Sequence, residues 1–152
     1  MIYLTLEQRQ KIYDHGENTY PEECCGILLG FIKDHSKEVV TIIKTANAWS
    51  RQIAQDFKEE NIEYSKRRRY SIAPQDMLSA QKLARANNLS VIGIFHSHPD
   101  YPAKPSEFDR LYAWHSYSYI IISLYNGQTF DCASWILDDS QQFQEEAIEI
   151  IN

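Results

Sequence analysis

The apolar positions change period several times along the chain, and each change marks an element. Residues 2–6 alternate weakly, as in a short strand, and Thr5 then stands where a helix N-cap belongs. The helix it opens carries Leu6, Ile12 and Tyr13 inward and stops between Gly16 and Pro21. Cys25 to Ile32 is continuously apolar, the pattern of a strand buried on both faces, and Val39 to Ile43 predicts its partner across a polar turn at Lys33 to Lys37. Between Asn47 and Arg69 the periodicity disappears. The charged stretch 55–69 predicts a polar insertion loop within the domain, long for a compact fold. Order resumes at Tyr70 to Ile72, and Pro74 fits the first residue of a helix that places Met77, Ala80, Leu83 and Ala84 inward and ends at Asn87 and Asn88.

Val91 to Phe95 is a further apolar strand. It runs directly into His96-Ser97-His98-Pro99, where the proline stops it. Ser106 opens a short helix predicted to reach Trp114, with Tyr112 and Trp114 at core spacing. Strands at 119–124 and 129–137 join across Asn126-Gly127, and 141–152 predicts an edge strand or a short helix. No repeat or linker interrupts this order. Residues 1–152 therefore read as a single α/β (α+β) domain, a mixed β-sheet with helices.

Length and composition add exclusions. A chain of 152 residues can bury roughly two-thirds of its unfolded surface without disulfides, and 43% apolar with 12% aromatic residues excludes disorder. A net charge of −6 argues against nucleic-acid binding, which needs cations to neutralise phosphates. The one basic run, Lys66 to Arg69, is a solvated loop or a site for an acidic partner. No stretch has the roughly 18 apolar residues of a membrane span and the N-terminus has no signal-like core, so the expected location is cytoplasmic, away from membranes. Cys24 and Cys25 are neighbours and Cys132 stands alone, which fits reduced thiols; the first two open an apolar strand and read as core. His15, His35 and His115 lack ligand spacing and are expected at the surface or an interface.

Residues two apart in a strand share a face, so His96 and His98 project together while Ser97 points away. Asp109, eleven residues after His98, lies one turn into the following helix, where the chain can double back towards the imidazoles. Two nitrogens and one oxygen suit Zn2+, one per chain, with a fourth position left for water, as in catalytic sites. Ser106-x-x-Asp109 is also a capping-box pattern, and a carboxylate occupied in capping is expected to compete with its use as a ligand.

HSHPDYPAKPSEFD resembles the signature of the JAMM (MPN+) zinc metalloproteases: histidine, any residue, histidine, seven residues, serine, two residues, aspartate. PEECCGILLG resembles that family's glutamate-bearing strand start, with Glu23 at the matching position and Glu22 one residue early. Asn47 and RYSIAPQD are similar to the short bacterial members that release cysteine from sulfur-carrier proteins. The resemblance implies a cytidine-deaminase-like mixed sheet flanked by helices, with zinc at the strand ends. It also implies hydrolysis of a peptide or isopeptide bond after the C-terminal glycine of a ubiquitin-like sulfur carrier ending in Gly-Gly. Glu23 would then be the general acid/base and Ser106 the oxyanion donor, both catalytic, with His96, His98 and Asp109 on the metal. The insertion and the HSHP loop would wall a narrow groove, and Arg67, Arg68 and Arg69 would bind acidic residues of the carrier.

Other functions fit less well. A cytidine deaminase would need H-x-E with P-C-x-x-C, and neither is present. The RadC group shares a similar loop but has a longer chain with a DNA-linked region. The remaining alternative is a non-catalytic, metal-stabilised module that binds the carrier without cutting it.

Overall fold

The computed structural model describes residues 1–57 and 64–152, so 58–63, the middle of the expected insertion, lie outside the described residues. β1 (Ile2–Thr5) passes directly into α1 (Leu6–Thr19). Thr5 Oγ1 accepts from the Gln8 amide at 3.1 Å and Gln8 Oε1 accepts from the Thr5 amide at 2.9 Å, a reciprocal capping box worth on the order of 1 kcal/mol. The helix buries Ile12 and Gly16. Leu6, expected inward, is 55% exposed: at roughly 100° per residue it lies about 120° around the axis from Ile12.

β2 (Cys25–Lys33) and β3 (Ser36–Thr45) form the expected hairpin. Its two-residue turn, Asp34-His35, has φ of 50° and 67°, the backbone twist that suits a tight hairpin. Burial holds from Cys25 to Gly30, but Phe31 and Ile32 are exposed because the strand overruns the core there. β4 (Ser90–Pro99) lies antiparallel to β2 on its other side, and β5 (Ser118–Tyr125) runs parallel to β4. β6 (Gln128–Leu137) returns across Asn126-Gly127, as expected, both residues having positive φ.

The tail departs from the expectation of a single edge element. It gives β7 (Phe143–Glu146) beside β6 and β8 (Ile148–Ile151) parallel to β1. Among the described residues the sheet has eight strands in the order β7-β6-β5-β4-β2-β3-β1-β8. Ala147 alone separates the strands at its two ends, and a Cα step spans about 3.8 Å, so the edges meet and the sheet curls towards closure. The Ile2 amide donates to Ala147 O at 2.9 Å and the Met1 amino group pairs with Glu146 at 3.4 Å, tying the seam. Sequence periodicity is a local signal and carries no information about which distant strand a tail will join.

Among the described residues there are three further helices, α2 (Arg51–Ala54), α3 (Pro74–Ala86) and α4 (Glu107–Leu111). Leu28, Phe95, Ile120 and Ile122 pack on the α1 side of the sheet, and Ile27 and Leu29 pack on Ala80 and Ala84 of α3. β2 is thus covered on both faces, which explains its unbroken apolar run. On α3, Ala80 and Ala84 define the buried face and Leu83 falls at its rim, 45% exposed rather than inward. α4 ends before Trp114, so helical core spacing does not apply there; Trp114 is 68% exposed and Tyr112 is exposed as well. The α+β character, a mixed sheet flanked by helices, is as expected from the sequence.

Candidate metal centre

The site forms where the C-terminal end of β4 lies beside the N-terminal end of β2, with His96 opposite Cys25 in register. Ser97 turns to the far face, where its Oγ accepts from the Cys24 amide at 2.7 Å. His96 and His98, both fully buried, bring their Nε2 atoms to 3.1 Å from each other. Asp109 Oδ2 is 3.4 Å from each of these nitrogens. Glu23 offers a carboxylate oxygen that groups with the two imidazole nitrogens within 4.8 Å, so a His-His-Glu group here can hold a metal ion. Glu22 is exposed, whereas Glu23 is 2% exposed. Asp109 is thus a carboxylate in ion-pair range of both imidazoles.

Asp109 reaches the imidazoles because Ser106 caps α4. Ser106 Oγ accepts from the Asp109 amide at 3.0 Å, and Asp109 Oδ2 accepts from the Ser106 amide at 2.9 Å. Capping and facing the histidines, expected to compete, use the same carboxylate oxygen: the box aims the carboxylate instead of withdrawing it. Ser106 Oγ still has its own proton to donate.

The charge states are distinct. Burial by itself would raise the Asp109 carboxyl, but the charge and hydrogen bonds of His96 and His98 outweigh it and hold this acid well below the usual range. Burial, followed by repulsion from Asp109, pushes Glu23 well above the usual range, with Tyr101, Arg69 and Arg68 opposing. Burial, with His96 alongside, lowers His98. Its Nδ1–H donates to Pro102 O at 2.7 Å, which leaves Nε2 as the ring nitrogen turned towards the centre. This outer hydrogen bond is the kind that fixes metal-ligating histidines. His96 Nδ1 is buried with no hydrogen-bond partner among the described residues.

Several residues that build the site had no role assigned from the sequence. Tyr70 stacks on His96 with ring centroids 4.5 Å apart, and Tyr101 stacks on His98 at 4.0 Å while its hydroxyl donates to Glu23 Oε2 at 3.2 Å. The Glu23 amide donates to Lys66 O at 2.8 Å, and its carbonyl accepts from Asn47 Nδ2 at 3.0 Å. Asn47 also donates to Arg69 O and accepts from the Trp49 and Ser71 amides, so it joins the start of β2 to the segment that returns from the insertion. The approach to the insertion is anchored as well: Ser50 caps α2, and Trp49 is buried among Phe57 and Phe108. Asn47, Tyr70 and Tyr101 were findable only as polar or aromatic residues flanking otherwise recognisable blocks.

The basic run is divided. Arg67 and Arg68 are exposed, with Arg68 5.4 Å from the Tyr101 ring, whereas Arg69 is half-buried with its guanidinium 4.3 Å from the Phe108 ring. His15, expected at the surface or an interface, is half-buried, and its Nε2–H is shared between Cys25 O at 3.0 Å and Thr45 O at 3.1 Å, which ties α1 to the hairpin. Among the described residues no helix is long and apolar enough to cross a membrane.

A family model described as prokaryotic homologs of the JAB domain matches residues 5–138. Tail tip assembly protein K of Escherichia phage N15 is 26% identical over 121 residues; the match covers 73% of this chain and 40% of the phage protein, so the chain spans about two-fifths of that relative. A solution structure of a protein from Desulfitobacterium hafniense is 30% identical, with a TM-score of 0.79 over 99% of this chain and 93% of the other. A second, from Salinibacter ruber, is also 30% identical, with a TM-score of 0.71 over 100% and 92%.

Proposed function

We propose that this chain, which belongs to the family of prokaryotic homologs of the JAB domain, is a zinc-dependent metallopeptidase of the JAMM kind. Its substrate on this reading is a ubiquitin-like sulfur carrier, cut at the peptide or isopeptide bond after the terminal glycine. The observation that carries the reading is the triangle of His96 Nε2, His98 Nε2 and Asp109 Oδ2, with sides of 3.1, 3.4 and 3.4 Å. Ligands about 2.0–2.1 Å from a tetrahedral zinc ion lie about 3.3–3.4 Å from one another. Two imidazoles and one carboxylate are also the donor set of hydrolytic rather than structural zinc.

When bound, zinc supplies Lewis acidity, making water a competent nucleophile near neutral pH and polarising the scissile carbonyl. The protein's own residues do the rest. Glu23, beside the triangle and not its inner carboxylate, takes the proton from the attacking water and returns it to the leaving amine. A carboxyl raised by burial is matched to both halves of that task, because it neither holds the proton too weakly nor needs a strong acid to regain it. Tyr101 holds Glu23 Oε2 and leaves the other oxygen for the proton. The Ser106 hydroxyl donates to the developing oxyanion, and Arg67 and Arg68 meet acidic residues of the carrier. Among cell compartments, the cytoplasm suits this substrate and the three free thiols.

Elemental analysis tests the ligand set. The purified protein should hold about one zinc per chain, and His98→Ala should lose it; full zinc content in His98→Ala would remove the basis of the reading.

A further inference from the structure

Beside the metal centre lies a cavity of about 370 Å3 that the site's chemistry does not use. Asp109 lines it, and Tyr70, which stacks on His96, forms part of the same wall. Apart from Ser71 and the tyrosine hydroxyls the rest is apolar, including Ile72 and Met77 from the approach to α3 and its first turns, Phe108 from α4, and the exposed Tyr112 and Trp114. Glu23, His96, His98 and Tyr101 are absent from the lining, so the cavity meets the centre at Asp109.

We infer that this cavity is a specificity subsite for one large apolar side chain of the substrate, aromatic or aliphatic, within three residues of the bond being cut. The inference deepens the peptidase reading and rests on it. Asp109 belongs both to the lining and to the triangle, so an occupant of the cavity is within a few residues of any group held at the centre. The charge pattern selects its chemistry. The lining has no Lys, Arg or His to pair with an acidic side chain, so a carboxylate buried there would be left without a cationic partner. A volume of this size, walled by rings and sulfur with few polar atoms, is typical of sites that bury an apolar group. The exposure of Trp114 and Tyr112 fits as well: aromatic surface left exposed on a cavity wall becomes covered when a chain lies across it. A diglycine offers no side chain to fill the space, so the occupant lies on the carrier side before the glycines or on the leaving-group side after the bond.

The test uses the full zinc-loaded chain and peptides that share a Gly-Gly segment but differ at one position, Phe, Leu, Ala, Asp or Lys, placed before the glycines in one set and after them in the other. Dissociation constants are measured on Glu23→Gln, so that binding is read without turnover, and kcat/KM on the unaltered protein. In one of the two sets, Phe or Leu should bind at least about tenfold tighter than Ala or Asp, and that set identifies the side. Trp114→Ala together with Tyr112→Ala, both at exposed positions, should reduce the preference while leaving the Ala peptide unchanged. Met77→Trp, which fills the space, should do the same. Affinities for Phe, Ala and Asp within about twofold in both sets, or a preference that neither set of variants reduces, would overturn the inference. If the preference appears but no peptide is cut, the subsite stands and the hydrolase reading falls; cutting with no preference gives the opposite result.

Discussion

Glu22 and Glu23 are neighbours with the same carboxyl group, yet one is exposed and the other buried at the candidate metal centre: Glu22 still belongs to the turn after α1, its amide bonded to Thr19 O, whereas the Glu23 backbone is held by Lys66 and Asn47. Glu23→Gln should abolish turnover with zinc still bound, and Glu22→Gln should change little; equal losses of activity would contradict the assignment. The same residue carries a stability prediction. Its raised carboxyl binds a proton more tightly folded than unfolded, so its contribution to stability declines as pH rises above the ordinary glutamate value. Glu23→Gln should therefore raise the Tm of the metal-free protein at pH 7, a gain at the expense of function; an unchanged or lower Tm would argue that Glu23 is well satisfied as an anion. The cysteines behave oppositely to reactive thiols. Burial pushes Cys24 up to about 12 and Cys25 up to about 11, so neither should react with iodoacetamide at pH 8 until the protein is unfolded, as mass spectrometry would show. The two histidines and Asp109 were legible because strand alternation and one helical turn are local geometry. Asn47 and the stretch that holds Tyr70 stood out only by resemblance, and the roles of Tyr70, Tyr101 and Asn47 rest on contacts with residues tens of positions away, which no local pattern conveys.

At the scale of elements, the legible features were those with a backbone cause. Thr5 caps α1, Pro74 starts α3, and Asn126-Gly127 turns β5 into β6, because each residue favours the local conformation needed there. Apolar side chains near a rim were misjudged, since whether Leu83 is covered depends on what the sheet presents and not on α3. Leu83→Lys should accordingly change stability by no more than about 0.5 kcal/mol, whereas the inward reading would make it severe. Gly93 is the contrasting position. A Cβ there would stand 2.3 Å from the backbone oxygen of Ser118 on the neighbouring strand, so Gly93→Ala should cost about 1–3 kcal/mol, measured by chemical denaturation, and should loosen the strand that carries both histidines. For α4, Ser106→Ala removes a cap and, on the proposed mechanism, an oxyanion donor. Stability should fall by about 1 kcal/mol and kcat by about a hundredfold; loss of stability with kcat intact would leave Ser106 only its structural role.

For the whole molecule, the curled sheet brings the end of β4, the start of β2, the return from the insertion and the cap of α4 to one place, and this convergence is what the sequence conveyed least. Its seam is closed by β7 and β8, whose pairing no periodic pattern announces. A metal bound only by the folded chain stabilises it by mass action, so zinc should raise Tm, and the size of that shift should depend on pH. Only a neutral imidazole can be a ligand, and burial holds His98 below the ordinary value of about 6.5. The folded state then binds fewer protons than the unfolded one between the two values, so this contribution grows as pH rises through that window and is lost on acidification, together with the zinc. The central claim is that the His96, His98 and Asp109 triangle makes this chain a hydrolase, and the most direct test is turnover of a carrier conjugate ending in Gly-Gly, followed before chelation, after chelation and after zinc is restored. The account predicts cleavage at the terminal glycine that stops with the chelator and returns with zinc. Cleavage indifferent to the chelator, or none from a fully zinc-loaded protein that still binds the carrier, would contradict it.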